Sequence, residues 1–394
     1  MRPNRVIIRD LFGILGSGAP APALDEAEWR ELLAFADRTQ LTLHLRGRLG
    51  LPAWLAEEIE IRYAKNGERR RRLREAYIES SDALDSAGIE FVVLKGFTHE
   101  ASEMAGRRPA AQLRVQYDLD ILTLPCDMAR ARVVFERLGY APHGPRSLSK
   151  EHGRPLVRPT DWSWRGDYYD PEMPIPVELH GSAWSAERDR IHPDGIEDFW
   201  SRRCCIEVNG LRIPAFAEVD RLGFAALHVL RHILRHDAKP AHVLELARFL
   251  EARGGDTLFW DQWRKLHPPG LRALQMVGFR FAHEWFGCAL PGAIEQSEFF
   301  EAWFRDFAWS PVSNLTAANK DTVWLHLAVV DHWRDGLRVF WDRMVPVRLP
   351  HEGFFSRLRY HAEALAPALV SGVRWRRAAA STASELSAWK RRRV

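Results

Sequence analysis

Between residues 89 and 122 the chain reads IEFVVLKGFTHEASEMAGRRPAAQLRVQYDLDIL. The apolar run 89–94 stops abruptly at Lys95-Gly96. A short helical piece follows, and then a second apolar run that carries two carboxylates, Asp118 and Asp120. Successive side chains of a strand point to opposite faces, so Asp118 and Asp120 project together while Leu119 and Ile121 face the other way. Two like charges beside an apolar core are costly without compensation. A bound divalent cation is the usual compensation where a phosphate-bearing ligand is also present.

The flanking sequence supplies the elements that such a unit needs. Residues 24–38 read as an amphipathic helix capped by Asp25, with Glu28 three residues on. A short helix over 40–48 follows, and Pro52 opens a long helix over 53–87 that Gly88 ends. Arg69 to Arg72 and Arg74 lie on that helix, read as a solvated charged face, with a phosphate- or RNA-facing patch as the alternative. Residues 127–138 form a helix with Val133, Val134, Phe135 and Leu138 on its apolar side. Residues 141–173 read as a long loop, a functional cover or flap. Its aromatics Trp162, Trp164, Tyr168 and Tyr169 either pin it to the body or stack on a base or acceptor. Residues 174–180 read as a strand, with Val177 and Leu179 on one side and Glu178 and His180 on the other. Asn209-Gly210 marks a hairpin over 205–214. From residue 217 the pattern is helical. Two helices break near Lys239-Pro240, and further helices are expected over 256–266, 270–286, 295–308, 318–335 and 354–368. The basic tail, with Arg391 to Arg393, reads as a terminal helix or a disordered, solvated end. The fold class is α+β: a small mixed sheet with N-terminal helices and a mainly helical C-terminal half, divided as 1–87, 88–216 and 217–394.

Composition narrows the function classes. A formal charge of +4 over 394 residues is too small to argue nucleic-acid binding by itself. Cys126, Cys204, Cys205 and Cys288 form no C-x-x-C pair, so a zinc ribbon is not indicated and free thiols in a reducing cytoplasm are expected. The first residues partly imitate a signal peptide, but Arg9 and Asp10 interrupt the apolar run. No run of 18 apolar residues exists, so no membrane partner is expected.

The residue types point to phosphate chemistry. Asp118 and Asp120, with Glu178 from a later strand, form a carboxylate set able to hold Mg²⁺ against substrate oxygens. Lys95 neutralises phosphate charge, Gly96 lets backbone approach closely, and Arg114 holds a phosphate oxygen bidentately. His180 shares the face of Glu178. His228, His232 and His236 recur at i, i+4 and i+8. Two such histidines can bind zinc, yet the motif is not H-E-x-x-H, and packing beside the site is the more natural reading.

The run L-K-G, then R-x-x-x-D-x-D-I-L, then V-E-L-H resembles the uncharacterised bacterial nucleotidyltransferase family of the DNA-polymerase-β-like superfamily. His228, His232 and Leu244-Glu245 resemble that family's helical region, and the likeness covers about residues 85–255. It implies a nucleotidyltransferase core with Lys95 and Gly96 in the turn. Asp118, Asp120 and Glu178 would be the catalytic and metal-binding acids, and His180, His228 and His232 would stand in the second shell. Two features depart from the superfamily's usual pattern: the turn is Lys-Gly rather than Gly-Ser, as this family tends to have, and the third acid is Glu where Asp is common. The implied activity is Mg²⁺- or Mn²⁺-dependent transfer of an NMP from an NTP such as ATP. The acceptor is a peptide or protein, a small metabolite or, less readily, RNA. The alternatives are a catalytically silent binding module and a γ-phosphate phosphotransferase.

Overall fold

The computed structural model describes residues 4–99, 110–144, 153–290, 298–316 and 319–344. Three helices lead the chain, α1 (Asn4–Leu15), α2 (Glu26–Arg38) and α3 (Ala53–Ser86). α2 carries the expected capping box: the Glu28 amide donates to Asp25 Oδ1 at 2.8 Å and the Asp25 amide to Glu28 Oε2 at 3.0 Å. α1 is a helix that the sequence reading did not assign. Its apolar patch is a core element, because Ile7, Ile8, Leu11, Phe12, Ile14 and Leu15 are all buried. Phe12 stacks on Phe286 with ring centroids 4.8 Å apart. The Arg9 and Asp10 that interrupt the run in sequence are the polar stripe of an amphipathic helix.

A five-stranded sheet follows, in the order β1-β2-β5-β4-β3, from β1 (Phe91–Leu94), β2 (Leu119–Thr123), β3 (Ala141–Pro142), β4 (Leu156–Val157) and β5 (Val177–His180). β1 runs antiparallel to β2, whereas β2 and β5 are parallel, with Asp120 opposite Glu178 and Leu122 opposite His180. Parallel neighbours need a crossover. The helix Met128–Arg137 and the two short strands β3 and β4 provide it. The segment expected as structureless loop is therefore partly sheet, since β4 pairs with both β3 and β5. Its remainder is tied down. Trp162 Nε1 donates to Asp170 at 2.8 Å, Tyr117 Oη donates to the Tyr168 carbonyl at 3.1 Å, and Tyr169 is buried with Leu43 and Val115. These contacts favour pinning for Tyr169, while Trp164 stays half exposed.

The two faces of the sheet bury in different places. Phe91, Val93, Leu119, Ile121, Val177 and Leu179 pack into one apolar cluster with Ala131 and Phe135 of the crossover helix. Of the face read from sequence, Phe135 is buried and Val134 and Leu138 pack partly buried against the cluster, whereas Val133 is exposed and Ala131 joins the buried set. Val92, Leu94 and Leu122 join a second, larger cluster that unites α1 and α2 with the helices after residue 217. Period-two alternation therefore aims Asp120, Glu178 and His180 at the helical half.

The hairpin β6 (Cys204–Val208) and β7 (Leu211–Ala215) turns at Asn209 and Gly210, both at positive φ (51° and 75°), as a two-residue hairpin turn of the I′ type requires. Helices Glu218–Leu234, Pro240–Arg253, Thr257–Leu266, Pro269–Phe286 and Glu298–Phe307 follow the expected pattern. Beyond them the expectation of one helix over 318–335 fails. The chain forms Thr322–Val329, breaks at Val330, and resumes as Trp333–Met344. The expected helix at 354–368 and the basic tail lie outside the described residues. No helix among the described residues is long and apolar enough to cross a membrane.

Arg69 settles the reading of the basic run on α3. Arg71 pairs with Glu68 and Glu75 on the solvent side, and Arg74 donates to the Asn209 carbonyl at 3.0 Å. Arg69 instead is 1% exposed, and its guanidinium donates to the carbonyls of Gln116 and Tyr117 at 3.0 Å and of Met173 at 2.9 Å. The first two carbonyls precede β2 and the third precedes β5, so one side chain clamps the entries of both carboxylate-bearing strands. Burial without a paired carboxylate depresses its pKa to about 10. Replacing it by Met strands three carbonyls, and we expect Arg69→Met to cost about 3 kcal/mol. Urea unfolding checks this: the midpoint falls with the slope unchanged. A midpoint equal to wild type contradicts the clamp.

Candidate active site

Lys95 and Gly96 form the turn that leaves β1. Both have positive φ, 59° and 55°, and a helical turn starts at Phe97. The left-handed region is strained for a lysine. The turn is held by the Thr98 amide and hydroxyl, which donate to the Lys95 carbonyl at 3.1 and 2.9 Å. Gly96 is required for space as well as conformation. A Cβ there would lie 2.3 Å from Gln116 Nε2 and 2.5 Å from Gln116 Oε1. That amide is occupied in place, since its Nε2 donates to the Asp118 carbonyl at 2.8 Å.

The left-handed turn carries Lys95 back over the sheet face. Its Nζ lies 2.8 Å from Asp120 Oδ2, while His180 Nε2 sits 2.9 Å from Asp120 Oδ1. Asp120 is 2% exposed. Burial alone would raise its pKa, but Lys95 and His180 hold it well below the usual carboxylate range. The same burial opposes the Lys95 charge, and Asp120 and Asp118 reverse that effect, leaving the ammonium above its ordinary value. Glu178, opposite Asp120 in the parallel register, is pushed up to about 7 by burial and by the charges of Asp120 and Asp118. Asp118 is raised by burial and by Asp120. Among the described residues no hydrogen bond or ion pair holds its carboxylate. Three carboxylates thus share one sheet face with a single ammonium among them.

That donor set fits a hard cation. Oxygen atoms of Asp120 and Glu178 and a ring nitrogen of His180 lie within 4.8 Å of one another, with Asp118 adjoining. His180, read from sequence on the face of Glu178, stands among these donors.

The face opens into a cleft of about 310 Å³. Its opposite wall comes from the helix Glu218–Leu234 and the start of Pro240–Arg253, with His228, Arg231, His232, Arg235, Lys239 and His242. Arg231 and Arg235 reach Asp189, a buried residue following β5, at 3.4 and 2.7 Å. This ties the end of the Glu178 strand to the helical wall. Arg114 also lines the cleft. Its Nε lies 2.6 Å from Glu245, a buried acid that His99 contacts at 3.2 Å. Burial would raise Glu245, but Arg114 and His99 keep it well below its ordinary value of 4.5.

The structure thus brings Lys95, Gly96, Arg114, Asp118, Asp120, Glu178, His180, His228 and His232 to one cleft. It does not bring His236, because the helix ends at Leu234 and His236 turns away at φ 60°. His242 takes that place instead. Sequence reasoning passed over it, although it sits three residues before Glu245 on the same helix, just after the break at Lys239-Pro240.

A family model described as "Uncharacterised nucleotidyltransferase" matches residues 25–287, more than half of the chain. The chain belongs to this uncharacterised nucleotidyltransferase family. Among solved structures, the chain is similar to an antigenic nucleotidyltransferase-like protein from Paracoccidioides brasiliensis, at 13% identity and a TM-score of 0.28, covering 50% of this chain and 90% of that one. So distant a likeness carries no functional information. No curated protein matches.

Two outcomes are expected. Gly96→Ala meets both the positive φ and the Gln116 amide, and should cost about 1–3 kcal/mol. Gln116→Ala in the same chain should restore only the steric part, so a double-mutant cycle in urea should show coupling, and strict additivity would contradict the close approach. Glu245→Gln breaks a buried pair and should cost about 3 kcal/mol at pH 7. Because the folded-state pKa of Glu245 is depressed, its contribution is complete above the unfolded value of 4.5 and is lost as pH falls through the folded value. The gap in stability between wild type and Glu245→Gln should therefore narrow below pH 4.5. A gap independent of pH contradicts the pairing.

Proposed function

We propose that the chain is a Mg²⁺-dependent nucleotidyltransferase of the DNA-polymerase-β-like type, moving an NMP from an NTP to an acceptor nucleophile. The observation that supports this reading is the pair of opposed walls. Asp118, Asp120 and Glu178 crowd the sheet face, and Lys95, Arg114, Arg231, Arg235 and Lys239 line the same cleft. A carboxylate cluster alone repels a polyphosphate, and cationic side chains alone offer no oxygen ligands to a hard divalent ion. Together they suit a metal–triphosphate complex.

Asp118, Asp120 and Glu178 would hold Mg²⁺ or Mn²⁺, with His180 orienting Asp120. When bound, the ion supplies charge neutralisation and Lewis-acid polarisation of phosphate oxygens. The protein groups do the positioning. Lys95, beside Asp120, would hold a phosphate oxygen, and the Gly96 turn would bring backbone close to the polyphosphate. Arg114, fixed by Glu245, presents a guanidinium to the phosphates. Glu178, facing the same cleft, would take the proton of an acceptor hydroxyl. The hydroxyl oxygen then attacks the α-phosphorus and pyrophosphate leaves. The four cysteines are free thiols, which suits a reducing bacterial cytoplasm.

Labelled ATP tests the reading. Label from the α-position should appear on an acceptor in the presence of Mg²⁺ and fall by at least about 100-fold in Asp118→Asn, a loss of roughly 2.7 kcal/mol. Label arriving from the γ-position indicates phosphotransfer instead. Asp118→Asn is the cleaner variant, because Asp120→Asn also strips Lys95 and His180 of their buried partner. ATP affinity that needs no Mg²⁺ and is unaltered in Asp118→Asn would falsify the metal assignment.

A further inference from the structure

The helical wall carries a second set of ligating groups, chemically unlike the carboxylates. His228 and His232 are one turn apart on Glu218–Leu234, and His242 comes from the next helix. One ring nitrogen from each lies within 4.8 Å of the other two. The Nε2 atoms of His228 and His232 are 3.0 Å apart. Tetrahedral zinc with Zn–N bonds of ~2.0–2.1 Å places its nitrogen ligands about 3.3 Å apart. Two of the three nitrogens are thus near ligating separation, and a modest swing of His242 brings in the third.

Three further observations point to a ligand. His242 Nδ1 is buried and makes no hydrogen bond among the described residues, an expensive condition for a polar atom. Asp237 Oδ2 lies 3.3 Å from His232 Nδ1, not in hydrogen-bond geometry but close enough that a small ring rotation would let the carboxylate orient a metal-bound imidazole through its far nitrogen. All three rings line the cleft, so an ion held by them keeps one coordination position facing the space that the carboxylates also face.

We propose that His228, His232 and His242 form a transition-metal site, best suited to Zn²⁺, separate from the carboxylate site and open to the same cleft. The proton now shared between the two Nε2 atoms gives way to the ion, with His228 carrying its proton on Nδ1 instead. His232 keeps its Nδ1 proton toward Asp237. The open position takes water or an anionic oxygen of whatever occupies the cleft. Imidazole nitrogen favours zinc over magnesium, and carboxylate oxygen the reverse, so the two sites select different ions.

The test uses the full-length, tag-free protein, stripped with chelator and titrated with Co²⁺ in excess Mg²⁺. One Co²⁺ per chain should bind with the visible ligand-field bands of a four-coordinate nitrogen site, and one equivalent of Zn²⁺ should bleach them. The bands should vanish in His242→Ala and persist in His236→Asn, whose side chain tolerates the positive φ. Asp237→Asn should weaken Zn²⁺ binding about 10-fold. Absence of the bands in wild type, or their survival in His242→Ala, overturns the proposal. If His242→Ala does not fold, Asp237→Asn decides, an unchanged Zn²⁺ affinity overturning the site and a tenfold loss supporting it.

Discussion

Asp120 is the residue around which the molecule is assembled. It is a buried carboxylate with two like charges for neighbours, and it remains ionised because Lys95 and His180 each take one of its oxygens. That arrangement sets demands on three separate stretches of chain. The Lys95-Gly96 turn must adopt a strained left-handed path so that the ammonium returns over the sheet. β5 must pair with β2 in the one register that puts Glu178 and His180 on the same face as Asp120. A shift of one residue would bury Val177 or Leu179 against the charges and expose Glu178 to the apolar cluster behind.

Holding that register falls to groups outside the two strands. Arg69 on α3 gathers the backbone entering β2 and the backbone entering β5, and Asn66 one turn earlier donates to the Arg114 carbonyl at 3.0 Å. On the other side, Asp189 fastens the chain leaving β5 to Arg231 and Arg235 of the helical wall. The strands are only four or five residues long, so their own ladder hydrogen bonds could not fix the geometry alone. The N-terminal helices thus serve the site as scaffold, and the helices after residue 217 serve as its second wall.

Much of this was legible in the sequence, and the reasons divide cleanly. The strand–turn–strand unit, the capped α2 and the Asn209-Gly210 hairpin were readable because each depends on local chemistry: alternation, a side-chain cap, a turn that needs two positive φ values. The parallel pairing of β2 with β5 across more than fifty residues could only be expected from the matching acids, and the structure brings them opposite one another. What escaped notice depends on tertiary contact. Arg69 looks like its neighbours Arg70, Arg71 and Arg72 until three carbonyls are found at its guanidinium. Nothing in the spacing of His228, His232 and His236 shows that the helix ends before His236, nor that His242 fills the gap. β3 and β4 are two residues each, too short to leave a periodic trace. The N-terminal apolar patch looked like a fragment of a leader because its partners, Trp285 and Phe286, lie far along the chain.

The ion pair between Lys95 and Asp120 carries the strongest implication for function. If Asp120 ligates a metal as proposed, Lys95, now 2.8 Å from it, must give way when the ion and its nucleotide bind. The most direct measurement is a crystal structure of the full chain with Mn²⁺ and a non-hydrolysable ATP analogue, using the anomalous signal of manganese to locate the ion. The account predicts manganese among Asp118, Asp120 and Glu178, with Lys95 Nζ moved from Asp120 to a phosphate oxygen. Manganese and nucleotide bound elsewhere, with the Lys95–Asp120 pair intact, would contradict it.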